Sequence, residues 1–564
     1  MAGLTFKGKS FVQNHHLLVK YHQLIPRKDK SLTDKVSLRD NLIIHGDNLK
    51  ALKALLPMYA GKVKCIYIDP PYNTGSENWV YNDNVNSPMM QDWLGKVVDR
   101  EDLTRHDKWL CMMMPRLKVL NDLLREDGAI FVSIDDNELH RLRELMDEVF
   151  GYQNWLGTIV WRNVTDNNPT NVAIEHEYVV CYCKNRQSLS PVWKSPVSDV
   201  KELLVNLGKE LIAKHENVEE LRKVYTVWYR KNKRFLWPLD RYKYIDRGGI
   251  YTGSQSVHNP GREGYRYDVL HPGTGKPCKQ PLLGYRFPED TMKQLLANDK
   301  ILFGPDETKI IELKLYAHEY EDKLPSVITL DGRLGAYELR DLFAEKNKVF
   351  DNPKPSQLIG QLLGFTVGAN DLVLDSFAGS GTTAHAVAKL NAKDGAGRHF
   401  ILIECEDYAD EVTAERVRRV INGVRGAQDQ KIQGGFGGSF SYFDLGPAIE
   451  MESILSGDNL PTFDDLARYV FYTATGEEFD EAAVDEKRNF IGESKHYLVY
   501  LFYAPDLEYL KKTALTLDRA KALGQYAGKR RLVFAPTKYL DQDHLDEMRI
   551  DFAQLPFEIY QLVK

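Results

Sequence analysis

The sequence predicts an α/β protein built on a largely parallel sheet. Three observations carry this. Short apolar runs alternate with helical stretches over residues 41–150 and again over 371–403. The runs end on acidic or glycine-rich turns, which is where open α/β sheets bind ligands. Of 564 residues, 43% are hydrophobic and 27% charged, a folded and not a disordered or fibrous composition. Lys plus Arg number 74 against 80 Asp plus Glu, a net charge of −6. That excludes a wholly basic nucleic-acid binder but leaves room for a basic face on one domain.

Residues 1–40 are polar, carry no motif and read as an N-terminal segment. Residues 41–45 (NLIIH) form a short strand closed by Gly46-Asp47-Asn48, with a helix over 49–58. A second buried strand, 64–68, ends on Asp69-Pro70-Pro71-Tyr72. Trp109, Met113, Leu117, Leu120 and Leu124 give residues 107–126 one apolar helical stripe, and Gly128 stands where a helix stop is expected. A third strand follows at 129–134, a helix at 137–150, and a strand pair at 155–162 and 178–182.

After about residue 190 the texture changes. Between Arg222 and Arg247 nine basic residues face only Asp240 and Asp246, with seven aromatics interleaved. Residues 248–288 are rich in Gly, Pro and Tyr. We read 191–345 as an inserted domain. The α/β pattern resumes at 371–375, then Phe377-Ala-Gly-Ser-Gly381, a helix over 382–390 and a strand at 399–403. Residues 433–439 read as a Gly-rich linker, and 440–564 as a C-terminal α/β domain with strands at 496–502 and 531–534. The catalytic fold is thus expected in two blocks, 41–190 and 346–430.

Six cysteines without a CxxC pair give no disulfide framework and no thiolate metal site, so no metal is expected. The N-terminus MAGLTFKGKS lacks a signal-peptide core, and no apolar run approaches membrane-spanning length. The expected location is the cytoplasm.

Two constellations carry chemistry. Asp69-Pro70-Pro71-Tyr72 brings a carboxylate to the C-terminal edge of a buried strand. The prolines fix the backbone and remove two N–H donors, so the turn offers carbonyl acceptors and then an aromatic face. That suits a flat ligand with an exocyclic amino group, although a strand-ending turn with a core tyrosine fits four such residues equally well. In the second, Asp375 precedes Gly379-Ser-Gly381-Thr-Thr-Ala384, a strand, glycine turn and helix N-terminus that fit the dinucleotide fingerprint, with Glu404 placed to hold ribose hydroxyls. No GK[ST] follows, so it is not a phosphate-binding P-loop. The pattern alone separates neither a nicotinamide dinucleotide from S-adenosylmethionine nor either from a plain tight turn.

Together, the tetrapeptide and Phe377-x-Gly379-x-Gly381 resemble the amino-methyltransferases of DNA. The tetrapeptide precedes a long insertion and then the cofactor loop, an order that resembles the β class. His45-Gly-Asp-Asn-Leu49, the run from Glu126 to Asn137, His176-Glu-Tyr-Val-Val, Asn352-Pro-Lys-Pro355 and Gly381-Thr-Thr-Ala-His-Ala386 are similar to the modification subunits of type III restriction systems and related stand-alone enzymes. The resemblance covers most of 40–425. It implies a Rossmann-like methyltransferase fold with an inserted target-recognition domain, and transfer of a methyl group from S-adenosylmethionine to N6 of a flipped-out adenine in double-stranded DNA.

It also implies roles. Asp69, Pro70, Pro71 and Tyr72 hold the target base. Asp375, Phe377, Gly379, Gly381 and Thr382 line the methionine part of the cofactor. Glu404 takes the ribose hydroxyls, Asp47 accepts from the cofactor's adenine amino group, and Lys354 and Pro355 close the site from the strand-entering side. Arg230, Lys231, Lys233 and Arg234 are the expected phosphate contacts. A homodimer, and a separately encoded restriction or helicase subunit, are the expected protein partners. The rivals are a cytosine-N4 methyltransferase, a non-catalytic DNA-specificity subunit and a nicotinamide-dependent oxidoreductase. Pro277-Cys278 has the form of a cytosine-C5 nucleophile, but it follows no buried strand and stands in the wrong motif order.

Overall fold

The structure, a computed structural model, describes residues 4–74, 104–164, 171–193, 199–233, 236, 239–259, 261–321, 323–346, 348–449, 460–524 and 528–555. Eighteen strands are described: β1 (His22–Pro26), β2 (Leu42–His45), β3 (Val63–Ile68), β4 (Leu124–Ile134), β5 (Trp155–Arg162), β6 (His176–Cys183), β7 (Tyr244–Asp246), β8 (Gly249–Ser254), β9 (Ile301–Leu302), β10 (Glu312–Tyr316), β11 (Val327–Thr329), β12 (Leu372–Asp375), β13 (His399–Glu404), β14 (Ser441–Ala448), β15 (Phe490–Glu493), β16 (Tyr497–Leu501), β17 (Arg530–Ala535) and β18 (Ile550–Gln554). The chain divides into two compact units, residues 1–191 with 325–564, and residues 192–324.

The first unit is organised by a ten-stranded sheet of order β1-β14-β2-β13-β12-β3-β4-β6-β5-β11. From β14 to β4 the six strands run parallel. β6 then reverses against β4, and β5 against β6. The parallel strands read as apolar runs because both faces are covered. Ile43, Ile44, Ile66, Ile68, Leu374 and Leu402 have no exposed surface, and each such side chain contributes roughly 1.5–3 kcal/mol by leaving water. Asn48–Tyr59, whose first turn is capped by the Asp47 carboxylate, packs on the sheet with Arg105–Leu123.

Four boundaries differ from those expected. The motif-free N-terminal segment supplies edge strand β1, paired antiparallel with β14. The helix after residue 105 stops at Leu123, because Leu124 already pairs with Val63; Gly128 therefore lies inside β4 and not at a helix stop. The inserted texture ends before 345: β-branched Val327-Ile-Thr329 rejoins the large sheet beside β5, and the helix Arg333–Leu342 belongs to the first unit. The C-terminal domain begins after 440, since Ser441–Ala448 runs parallel to β2 in the large sheet. Beyond it, β15-β16-β17-β18 form a separate four-stranded sheet. Within 433–439, Gln433 and Gly434 close a short helix, Gln430–Gly434.

The second unit holds helices Asp199–Lys214 and Val218–Asn232 and the sheet β7-β8-β10-β9. Among the described residues no helix is long and apolar enough to cross a membrane.

Candidate active site

Parallel strands point their C-terminal ends to one edge, and the two constellations meet there. Asp47 follows β2, Asp69 follows β3, Asp375 ends β12 and Glu404 ends β13. β12 pairs directly with β3, Leu374 lying beside Ile66, so the glycine turn and the tetrapeptide emerge from neighbouring strands although the whole insertion separates them in sequence. A cleft of about 1670 Å³ opens at this edge and is lined by all four acids.

In the glycine-turn half, Gly379 and Gly381 have φ of +51° and +79°, a region that side chains other than glycine rarely adopt. A methyl at Gly381 would fall 3.0 Å from the Thr413 carbonyl oxygen, and one at Gly379 3.2 Å from the Phe350 ring. Asp375 accepts from the Phe377 N–H at 3.0 Å and the Thr383 hydroxyl at 2.5 Å. Burial outweighs those bonds and pushes its pKa up to about 7. Glu404 accepts the N–H groups of Gly379, Cys405 and Glu406 at 2.7–3.0 Å; burial raises its pKa as well. Phe350 packs edge-on to Tyr408 above the turn. The Thr382 hydroxyl accepts from Arg416 at 2.7 Å and is thereby tied to the interior. Asp47 spends one oxygen on the Lys50 N–H and sets the other 3.7 Å from Arg116.

In the tetrapeptide half, Trp109 donates its indole N–H to the Pro71 carbonyl at 2.7 Å and pins the turn. The Asp69 Oδ1 atom is buried and has no hydrogen-bond partner among the described residues. Asp69 Oδ2 lies 3.1 Å from the Lys354 ammonium. Burial raises the Asp69 pKa and Lys354 pulls it back. Glu177 gathers this half: it accepts from the Tyr72 hydroxyl at 2.8 Å and the Asn163 amide at 2.7 Å, with Lys354 at 3.3 Å. Lys354 also sits 4.8 Å from the centre of the Tyr72 ring. Burial works against its charge, but Asp69 and Glu177 outweigh it and raise its pKa.

Lys354 thus stands among the residues of the tetrapeptide half, beside Asp69, Tyr72 and Glu177, and not at the glycine turn. Pro355 is the N-cap of the helix Ser356–Thr366. Glu177 and Asn163 are site residues that the sequence motifs do not single out. Because β6 runs against β4, its first residues lie at the edge where β4 ends, with Tyr178 opposite Ile134. The one signal for Glu177 is an acid heading an otherwise apolar strand in His176-Glu-Tyr-Val-Val.

The expected phosphate contacts lie in the second unit. Arg230 and Lys231 end the helix Val218–Asn232, Lys233 follows it, and all three are exposed. Arg234 lies outside the described residues. Of the five interleaved aromatics among the described residues, Tyr225, Tyr229 and Tyr242 are buried, Tyr225 stacks on the partly buried Trp228, and Tyr244 is exposed.

A family model described as DNA methylase matches residues 63–415, from β3 through the glycine turn and Glu404. The chain belongs to the DNA methylase family. This DNA methyltransferase is 45% identical over 492 residues to the Mod subunit of the type III restriction-modification enzyme EcoP15I of Escherichia coli, covering 82% of this chain and 74% of that protein. It is 31% identical over 452 residues to the StyLTI Mod subunit of Salmonella typhimurium, covering 75% and 63%. A solved complex of M1.HpyAVI with SAM is 14% identical, with a TM-score of 0.29 over 67% of this chain and 98% of that one.

Proposed function

We propose that this DNA methyltransferase moves a methyl group from S-adenosylmethionine to the N6 amino group of an adenine turned out of duplex DNA, with Asp69 and Pro70 as the acceptors of that amino group. The observation that carries the reading is the unpartnered, buried Asp69 Oδ1. A buried carboxylate oxygen without a donor is costly unless a ligand supplies one. An exocyclic amino group supplies two: one N–H for Asp69 and one for the Pro70 carbonyl. Accepting both draws the nitrogen toward tetrahedral geometry and frees its lone pair, which ring delocalisation otherwise withholds. Tyr72, held by Glu177, offers its ring for stacking.

The glycine-turn half fits S-adenosylmethionine, which when bound supplies an electrophilic methyl on a sulfonium. Gly379 and Gly381 keep the floor free of side chains, Asp375 offers a carboxylate to the cationic methionine part, and Glu404 offers acceptor oxygens to ribose hydroxyls. Asp47, just past neighbouring β2 at the N-cap of the helix Asn48–Tyr59, lines the same cleft and is assigned the cofactor's adenine amino group. The chain's contribution to the step is placement and electrostatics, with no covalent enzyme intermediate.

The second unit is assigned the recognition of duplex DNA, with Arg230, Lys231, Lys233 and Arg234 on phosphates. A homodimer and a separately encoded restriction or helicase subunit complete the reading. The separate subunit is supported by likeness to Mod subunits of type III restriction-modification enzymes; light scattering tests the homodimer and co-purification tests the second subunit. The chemistry is tested with labelled S-adenosylmethionine and mixed DNA digested to nucleosides. Label in N6-methyladenine is expected; label in N4-methylcytosine overturns the assignment of the base.

A further inference from the structure

Behind the cleft lies a charge network that the proposed chemistry does not use. Arg416, in the helix Glu415–Asn422, has no exposed surface, and Glu338, in the helix Arg333–Leu342, is 9% exposed. Removing both charges from water costs about as much as, or more than, their attraction returns, so apolar packing would serve stability as well. Their bonds reach both halves of the site. Arg416 donates through Nη1 to the Ser380 and Thr382 hydroxyls at 2.8 and 2.7 Å, on either side of Gly381. Through Nη2 it reaches His385 Nδ1 at 3.2 Å and Glu338 Oε2 at 3.4 Å. Glu338 accepts the Ser356 N–H at 3.0 Å and its hydroxyl at 2.5 Å, and Lys389 at 2.8 Å. Ser356 stands two residues after Lys354. One turn before Glu338, a methyl on Gly335 would run into the Pro353 carbonyl, so this helix lies directly against the segment that carries Lys354.

We propose that Glu338 and Arg416 are positioning residues: one buried ion pair holds the glycine turn with one end and the root of Lys354 with the other, keeping the cofactor and base halves in register for methyl transfer. The inference deepens the function proposed above and rests on it.

The test compares three variants with the full-length parent. The parent's own methylation of DNA from S-adenosylmethionine is measured first and decides the underlying reading separately. Active sites are counted by single-turnover amplitude, so each constant refers to folded enzyme. Arg416→Lys keeps the charge but removes the fork on Ser380 and Thr382; the KM for S-adenosylmethionine should rise about tenfold with kcat within about twofold. Ser356→Ala loosens the root of Lys354; kcat should fall about threefold with that KM within about twofold. Glu338→Gln should move both, each about tenfold. A purely structural network would lower the melting temperature and the active fraction and leave both constants per site unchanged. That result, or one in which Arg416→Lys and Ser356→Ala move the same constant, overturns the proposal.

Discussion

Asp375 gives the sharpest quantitative handle on the cofactor half. Burial pushes its pKa from 3.8 to about 7 although two hydrogen bonds favour the charged form. At 1.36 kcal/mol per tenfold change, holding it ionised in the ligand-free fold costs about 4 kcal/mol. The sign follows from linkage. The folded state keeps the proton over a range where the unfolded chain has released it, so this group's contribution to stability declines as pH rises from about 4 to about 7, and is constant above. In the proposed site Asp375 meets the cationic methionine part as a carboxylate, so on that assignment binding must expel the proton below pH 7. The affinity for S-adenosylmethionine should therefore fall about tenfold per pH unit below about 7, with proton release approaching one per site. Calorimetry in buffers of different ionisation enthalpy measures both quantities. Asp375→Asn should bind weakly at pH 8 and show no such slope. An affinity flat between pH 8 and 5.5 in the parent, or the parent's slope persisting in the Asn variant, would refute the reasoning.

Three other perturbations probe separate parts of the site. Gly381→Val places a branched side chain at φ +79° with its first carbon against the Thr413 carbonyl. Backbone strain of about 1–3 kcal/mol, carried into the cofactor-bound turn, should weaken S-adenosylmethionine binding by about five- to 150-fold, with no heat from a nicotinamide dinucleotide in parent or variant. Glu177→Gln removes the charge that shares Lys354 with Asp69, and should lower kcat/KM for DNA about tenfold while cofactor affinity in calorimetry stays unchanged. Changing Arg230, Lys231 and Lys233 together to Ala should weaken DNA binding across sequences and flatten the log–log salt dependence by about 0.9 for each phosphate left without its cation; an unaltered slope in a fluorescence titration would place the DNA surface elsewhere.

What can be read from the residues is what is local. Asp69 to Tyr72 and Gly379 to Gly381 each end a buried apolar run, so strand, turn and candidate chemistry stand close together in each stretch of sequence. Glu177 and Asn163 reach the tetrapeptide half of the cleft only through the antiparallel register of β5 and β6 on β4, which no short pattern encodes. Glu338 and Arg416 look like ordinary charges of amphipathic helices; their burial arises from packing between segments 78 residues apart. The return of the chain at Val327 is hidden for a related reason. A three-residue strand set between Ser326 and Leu330, with Pro325 and Asp331 just beyond, carries little signal until its partner is known. Lys354 is recognisable by its motif, but its place beside Asp69 depends on the helix Arg333–Leu342, which the expected domain boundary assigns to the insertion.

The division of labour between the two halves is tested most directly by Asp69→Ala, with cofactor binding and methyl transfer measured on the same preparation. Asp69 is assigned to the target base alone. The variant should therefore bind S-adenosylmethionine within about twofold of the parent while transfer to DNA falls by at least about a thousandfold, since it removes an acceptor used in the reacting state. Transfer at a rate near the parent's, or loss of cofactor binding together with transfer in a variant that folds, would contradict the account.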